Sequence, residues 1–432
     1  MLRGTQRRGT SWKFSSSLPH AAATRLATEM YSPVQRRDVV LLAGLRAASF
    51  LGDTVALVAL FLRLAPEGHE WAIAALATAG TLPLVLFAPL AGHVVDHVPA
   101  KRMLSLLGVV EALICAGIGY WHGVGATLAL MSLLSCVVAF SLPGYSALIP
   151  ALAGEDNIAK AQGTIQSLQG AAGVAGPALG GLLVGWTGQS WPLYLDAISF
   201  ALCAAGTTML RHDRRPSART TIESAESRKL MAGVSLLWSD PILRSITLVV
   251  AIFIFALGMV NVGEVFFATR TLHSSATYYG LIGASFGLGS IGGALYAGRL
   301  QQETVQLVTS LLLSIVVIGV MIGSVGLVEH IGYIYPLMVP AGFAAGIANV
   351  SSSTLLALRT PEHLRGRVFA AFGAIFNAGE IGSYAAGGLV LVVIAPRTVF
   401  QVAGVAATLA ALVLGPFAFR ASRAAHFKER RA

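Results

Sequence analysis

Twelve unbroken apolar runs constrain this chain more than any other feature of its sequence. They fall at about 39–63, 71–97, 101–121, 124–147, 160–187, 191–210, 242–267, 276–299, 304–325, 332–358, 365–394 and 398–420. A helix rising 1.5 Å per residue needs roughly 20 apolar residues to cross the hydrocarbon core of a bilayer, and each run meets that length. Charged residues make up 12% of the chain, half of the roughly 25% typical of a soluble domain, so there is too little charge to clothe a water-facing surface. An outer-membrane barrel would show alternating segments of roughly 10 residues, whereas these runs are continuous and twice as long. The expected fold is therefore all-α and integral to the membrane, with twelve transmembrane helices.

An even number of spans puts both termini on one side. Of the 30 Lys and Arg residues, 26 then lie on the side of the termini, three on the other (Arg63, Arg270 and Arg397), and Arg46 lies within a span. Basic residues are retained in the cytoplasm, which predicts a multi-pass protein of the cell membrane with both termini cytoplasmic. The net charge of +10 is thus accounted for by the positive-inside rule, and no nucleic-acid partner is expected. Residues 1–38 carry seven Lys or Arg and no apolar core, which reads as a basic tail and not as a cleaved signal peptide; Met30 offers a second possible start. The only other long polar stretch, 211–240, divides the spans six and six, giving halves at 39–210 and 241–420 and a basic tail at 421–432. Its end, Lys229 to Trp238, has apolar residues at helical spacing, which suits a helix lying on the cytoplasmic lipid surface.

The two halves share a register. Ala91-Gly92 recurs as Ala297-Gly298, and Gly173, Gly176 and Gly180-Gly181 recur as Gly379, Gly382 and Gly387-Gly388, at offsets of 206 or 207 residues. Repeats of membrane helices around a central site are the common architecture of secondary transporters. Small residues let helices approach closely in lipid, and Pro177 removes a backbone donor and invites a bend. Gly173, Gly176, Pro177, Gly180 and Gly181 are therefore expected to pack span 5 tightly against the other half at a rocking interface, or to serve tight packing without motion.

The loop after span 2 reads Gly92-His-Val-Val-Asp96-His-Val-Pro-Ala-Lys101-Arg102. It resembles the signature between helices 2 and 3 of the major facilitator superfamily: a glycine, an aspartate four residues on, then a basic cluster. Pro99 and Ala100 stand where that family usually has a glycine. The stretches Ser141 to Pro150, Gly176-Pro177-Ala-Leu-Gly180-Gly181, Leu195 to Phe200, Gly233 to Pro241, Glu362 to Val368 and Leu51-Gly52-Asp53 resemble the macrolide-efflux and enterobactin-exporter-like branch in order and spacing. The resemblance implies two six-helix pseudo-repeats, a central cavity lined by spans 1, 4, 7 and 10, and a cytoplasmic gate in which Gly92, Asp96, Lys101 and Arg102 lock the halves together. Span 4 carries no basic residue, unlike many superfamily members, which argues against copying the best-known antiporter or symporter mechanisms residue by residue.

A charge at the bilayer centre costs roughly 2.5–3.5 kcal/mol or more, so each is a functional candidate. Asp53 lies 14 residues into span 1, about 21 Å along the helix. Arg46 lies seven residues before it on nearly the same face, about 10 Å away, as a water-bridged partner or a second landmark on one cavity wall. Glu264, with Asn261 one turn before it, is a cavity carboxylate or an interfacial helix end. Glu380, midway through span 11, is a proton site that hydrogen-bonds across the half-to-half interface, or a structural residue. Glu111 is expected in a peripheral structural pair and Asp196 as a structural residue reaching the outer interface. Gln162, Gln166 and Gln169 share one face of span 5 and line an aqueous vestibule or bond to the other half.

Cys115, Cys136 and Cys203 lie inside apolar runs and lack metal-ligand spacing; His93, His97 and His122 read as scattered loop residues, so neither metal nor cofactor is expected. No phosphate-binding Gly-rich Lys-Ser/Thr loop and no nucleophile–base constellation is legible, which points away from an ATP-driven pump and from an enzyme. The reading is a monomeric secondary active exporter of a small amphipathic molecule (a drug, macrolide-like or siderophore-like), exchanging it for protons. Asp53 is the first candidate carrier, then Glu380, then Glu264. An uptake symporter or facilitator of the same fold, and a non-transporting membrane scaffold or sensor, are the alternatives.

Overall fold

A backbone in hydrocarbon must satisfy its own hydrogen bonds, and a continuous helix does so within one segment. The computed structural model describes residues 33–65, 70–154, 157–211, 233–299, 303–361 and 364–429. Its twelve long helices are α1 (Pro33–Leu64), α2 (Glu70–His97), α3 (Ala100–Tyr120), α4 (Val124–Ala153), α5 (Ile158–Thr187) and α6 (Trp191–Thr208), then α7 (Pro241–Phe266), α8 (Ala276–Ala297), α9 (Thr304–Val325), α10 (Ile334–Arg359), α11 (Arg365–Val393) and α12 (Pro396–Glu429). Eleven are long and apolar enough to cross a membrane by length and composition. The remaining one, α6, has 18 residues and carries Asp196, buried together with Ser199 and Thr207 against its neighbours.

Several boundaries differ from those the sequence suggests. Helix α12 runs on to Glu429, so the segment expected as a tail continues a helix. Helix α1 starts at Pro33, which brings Asp38 inside the fold, where its carboxylate accepts the Arg211 amide at 3.0 Å. Residues 1–32 and 212–232 lie outside the described residues, and with them the Met30 start and most of the linker. The linker's end is a short helix over 233–239. One face of it packs on the helices beside it: Leu237 is fully buried with Leu243, Leu356 and Val368, and Gly233 sits against the Arg367 carbonyl, while Trp238 stays exposed.

The packing repeats every six helices. Helix α1 packs on α5 and α6, α2 on α4, and α3 on α4 and α6; correspondingly α7 packs on α11 and α12, α8 on α10, and α9 on α10 and α12. Two further seams, α5 with α8 and α2 with α11, join the first six helices to the last six and are related by the same step. The glycine register explains them. A Cβ on Gly180 would meet Val58 and Val55 of α1 at 3.0–3.1 Å, and one on Gly387 would meet Met259 of α7 at 3.1 Å. One residue further, Gly181 crosses to Ala276 and Gly280 of α8, and Gly388 crosses to Ala74 of α2.

These seams lie at the ends remote from the termini. There a single buried core runs through both sets of six helices, whereas on the termini side the cores are separate: one around Leu42, Leu104 and Leu148, another around Ile246, Leu311 and Ile315. The molecule is thus closed on one side and parted on the other. Trp71, Tyr120, Trp121, Trp186, Trp191, Tyr278 and Tyr333, all exposed, ring the closed end as an interfacial aromatic belt. Large apolar side chains such as Leu86, Leu113, Leu389 and Val393 clothe the outside, as a lipid-facing surface requires.

A Cβ on Gly185 would stand 2.8 Å from the Thr277 hydroxyl. A Gly185→Cys, Thr277→Cys variant made with the three native cysteines replaced by alanine should therefore form a disulfide on mild oxidation, with most of the free thiol lost by mass spectrometry. Persistence of both thiols would show that this end stands open.

Candidate functional site

Residues from five helices converge inside the first six-helix set on a cavity of about 220 Å³. Its wall carries Arg46 and Asp53 from α1, Glu111 and Cys115 from α3, Ser141 and Tyr145 from α4, and Asp196 from α6. The approach of α6 to α1 depends on Gly52: a Cβ there would overlap the Asp196 carboxylate and stand 2.8 Å from the Ser199 hydroxyl. Asp196 in turn accepts from Ser199 at 3.1 Å and from the Cys115 thiol at 3.3 Å. Glu111 accepts from Ser141 at 2.6 Å. Both are 2% exposed, so each is held by its neighbours in a fixed position.

Asp53 differs. Its side chain is open to the cavity, makes no side-chain hydrogen bond among the described residues, and feels the charges of Arg46 and Glu111. Arg46 forms no direct ion pair with it; the guanidinium lies over the Tyr145 ring at 4.6 Å, a cation–π arrangement. One guanidinium thus stands with three carboxylates in one chamber. The sequence reading took Glu111 for a peripheral structural pair and Asp196 for a structural residue reaching the outer interface; both do have fixed hydrogen-bond partners, but they line the chamber with Asp53 instead of lying at the periphery or the outer interface.

A second cavity of about 270 Å³ opens beside the first on the termini side, lined by Gln162, Gln166 and Gln169 of α5 together with Ile149 and Ile165. Arg46, Leu142 and Tyr145 belong to the walls of both cavities. The stacked Arg46–Tyr145 pair is therefore the partition between a glutamine-lined vestibule and the carboxylate chamber.

Glu264 and Asn261 of α7 lie in a third cavity, of about 280 Å³, inside the second six-helix set. Glu380 is in neither chamber. Its carboxylate accepts the Tyr384 hydroxyl of its own helix at 2.6 Å, and Tyr384 also pairs with Asn261 of α7. The hydrogen bond expected across the half-to-half interface is instead made within α11, and the Tyr384–Asn261 pair carries the contact on to α7 of the same set of six. The glycines of α5 also divide: Gly173, Gly176 and Gly180 face Phe50, Thr54 and Val55 of α1, while Pro177 and Gly181 face α8, so only the latter two meet the other set.

The expected gating loop is mostly helix. Gly92 and Asp96 lie in the last turns of α2, with Val98 and Pro99 the only connection to α3. A Cβ on Gly92 would meet nothing within 4 Å, as befits the parted side; the Asp96 side chain lies outside the described side chains. Lys101 donates to the Leu210 carbonyl at the end of α6, and Arg102 is exposed. His93 and His97 stack in the last turns of α2 with ring centroids 4.4 Å apart, so they are not loop residues. The three basic residues of the closed side bind backbone carbonyls: Arg63 that of Ile118 at 2.7 Å, Arg397 that of Val328 at 3.0 Å, and Arg270 that of Ala65 across the two sets.

The pattern of the Major Facilitator Superfamily matches residues 42–269 and 246–431. The chain belongs to the Major Facilitator Superfamily. Among relatives, the multidrug efflux pump Tap of Mycolicibacterium fortuitum is 25% identical over 388 residues, covering 87% of this chain and 92% of that protein. The enterobactin exporter EntS of Citrobacter koseri is 30% identical over 282 residues, covering 63% of this chain and 61% of its own. Among solved structures, a bacterial homologue of the human lysosomal transporter Spinster in an inward-facing, unoccupied conformation superposes with a TM-score of 0.67 at 15% identity, covering 91% of this chain and 98% of that one. The nucleoside transporter NupG superposes with a TM-score of 0.68 at 15% identity, over 88% of this chain and 98% of its own. This superfamily member is a multi-pass membrane transporter with the fold of those structures.

Cys115 reports on the partition because its thiol lies in the chamber. With Cys136 and Cys203 replaced by alanine, Tyr145→Ala should speed modification of Cys115 by a cationic methanethiosulfonate about ten-fold or more, since access limits a buried thiol. An unchanged rate would mean that the chamber is not closed off by Tyr145.

Proposed function

We propose that this transporter is a secondary active exporter, carrying a small amphipathic compound out of the cell in exchange for protons by alternating access. The observation that carries the reading is the chamber in which Asp53, Glu111 and Asp196 face a single guanidinium. Three carboxylates and one cation in a desolvated site cannot all carry their charge together. Charge balance leaves two of them to be neutralised by protons or by cargo. Glu111 and Asp196 are fixed by hydrogen bonds, so Asp53, free of them and the one exposed carboxylate of the three, is the group whose proton comes and goes. Arg46 holds Asp53 ionised until proton or cargo arrives, and the partition it forms with Tyr145 sets when the chamber meets the vestibule. Glu380 and Glu264 are the second and third candidates. The efflux names of the Tap and EntS relatives support the outward direction.

In this reading the termini are cytoplasmic, the parted side faces the cytoplasm, and the six-helix halves 39–210 and 241–420 rock about the glycine seams. Protonation of Asp53 from outside removes a buried charge and favours the cytoplasm-open state; cargo then binds as the proton leaves. The α2–α3 corner, with Gly92, Asp96, Lys101 and Arg102, re-forms the cytoplasmic gate when the outer side opens. The transporter works as a monomer among membrane lipids.

Two measurements test this. In inside-out vesicles holding an imposed pH gradient, adding erythromycin should dissipate the gradient through the wild-type protein, and Asp53→Asn should abolish that dissipation while the protein still inserts. Normal coupling in the variant removes Asp53 from the mechanism, and cargo movement with the proton flow would make the protein a symporter. Asp96→Asn should slow turnover several-fold with little change in half-saturating concentration; the opposite split would move Asp96 from the gate to the binding site.

A further inference from the structure

The two six-helix sets place equivalent cavities among equivalent helices, the first among α1, α2, α3, α4 and α6, the second among α7, α8, α9, α10 and α12. Their chemistry has diverged. At the 206-residue offset that relates Gly52 to Gly258, Arg46 and Asp53 correspond to Ile252 and Met259, and Glu264 corresponds to Val58. The first chamber therefore holds its own counter-charge, and the second lacks one. Within its wall Glu264 is the one ionisable side chain, and Asn261, engaged with Tyr384, is the other polar one. Among the described residues Glu264 makes no hydrogen bond or ion pair, and the one group whose charge it is seen to touch is the buried phenol of Tyr279 on α8; by contrast Asp53 has Arg46, Glu111 has Ser141, Asp196 has Ser199 and Glu380 has Tyr384.

The rest of the wall is apolar. Leu257, Ile282 and Met338 line it with three aromatic rings, Phe267, Phe286 and Phe400, of which Phe267 and Phe400 lie 5.0 Å apart, centroid to centroid. At about 280 Å³ the cavity falls just below the roughly 300–1,000 Å³ typical of small-molecule sites, room for one end of a ligand. Aromatic faces and a carboxylate together select a weakly hydrated cation with an apolar body, because a tertiary or quaternary ammonium gains cation–π attraction and loses little hydration on entering. A hydrated alkali ion would forfeit its water for one carboxylate and one amide.

We propose that this cavity is a binding site for the cationic end of an apolar organic ammonium compound, with Glu264 as its counter-ion and Phe267, Phe286 and Phe400 as its walls. The proposal rests on the export reading only in naming the class of cargo. Division of labour follows: the first set exchanges protons and the second holds the ligand. Asn261, Tyr384 and Glu380 form a polar path from the cavity towards the middle of α11.

The test is equilibrium binding to the full-length protein in nanodiscs, corrected with empty nanodiscs and with no gradient imposed. The probes are benzyltrimethylammonium and its neutral carbon isostere neopentylbenzene. The wild type should bind the cation more tightly than the isostere, and Glu264→Gln should weaken the cation at least ten-fold while leaving the isostere unchanged, which also shows the cavity intact. Equal affinity for the two probes in the wild type, or a cation affinity unaffected by Glu264→Gln, overturns the proposal. If Glu264→Gln loses both probes, Phe400→Leu decides: selective weakening of the cation upholds the site, and parallel weakening rejects it. A negative result removes the cargo class and leaves proton-coupled export standing, whereas intact cation binding with uncoupled flux removes the export mechanism instead.

Discussion

Within hydrocarbon, a polar group without a partner has no water to turn to, and that constraint decides where each charge of this transporter sits. On the closed side, Arg63 and Arg397 spend their guanidinium donors on carbonyls near the ends of α3 and α9, groups that a helix leaves without intrahelical donors. In the first six-helix set three carboxylates are gathered round one guanidinium, two of them pinned, Glu111 by Ser141 and Asp196 by Ser199 and Cys115. Such a cluster is costly unless its occupancy by protons follows the state of the site, and that cost is the reason for proposing it as the proton-exchanging part of the protein. Asp240 shows the contrasting structural solution at a helix start: it caps α7 through the amides of Ile242 and Leu243 and pairs with Arg359 at 2.9 Å.

Motion in this fold depends on backbone contact. Lipid offers no hydrophobic gain for joining helices, so association rests on close packing. Gly181 against Gly280 and Gly388 against the Ala74 methyl bring helices of the two sets together with no side chain larger than a methyl between them. Both seams sit towards one end, and the continuous buried core ends with them. A joint so placed suits the proposed rocking, since the far ends would separate widely for a small rotation at the seam. The Arg270 bond to the Ala65 carbonyl adds a polar latch on the same side.

Much of the architecture was legible because membrane crossing imposes a length and the duplication imposes a register. The apolar runs correspond to twelve helices, and the Gly180-Gly181 and Gly387-Gly388 pairs proved to make equivalent contacts. The chamber was legible only in part. Arg46 and Asp53 share one helix face, which spacing reveals, whereas Glu111 and Asp196 come from α3 and α6, and nothing in local sequence says that these helices meet α1 at one depth. The signal was available in Gly52: a glycine beside a membrane aspartate marks a place where another group presses on the backbone, here the Asp196 carboxylate. The partner of Glu380 lies four residues on in its own helix, Tyr384, a spacing that local sequence does offer. The Gly92–His97 stretch looked like a loop because of its polarity, although its backbone continues α2.

The central claim is that proton occupancy of the chamber sets which side of the transporter is open. Spin labels at Ser167 on α5 and Gly298 on α8, both exposed on the parted side and on opposite six-helix sets, measure that opening directly. Pulsed dipolar distances across a range of pH should show the wild type passing between a long and a short separation. Asp53→Asn should hold the long separation throughout. A wild type whose distances ignore pH, or a variant that follows pH as the wild type does, would contradict the account.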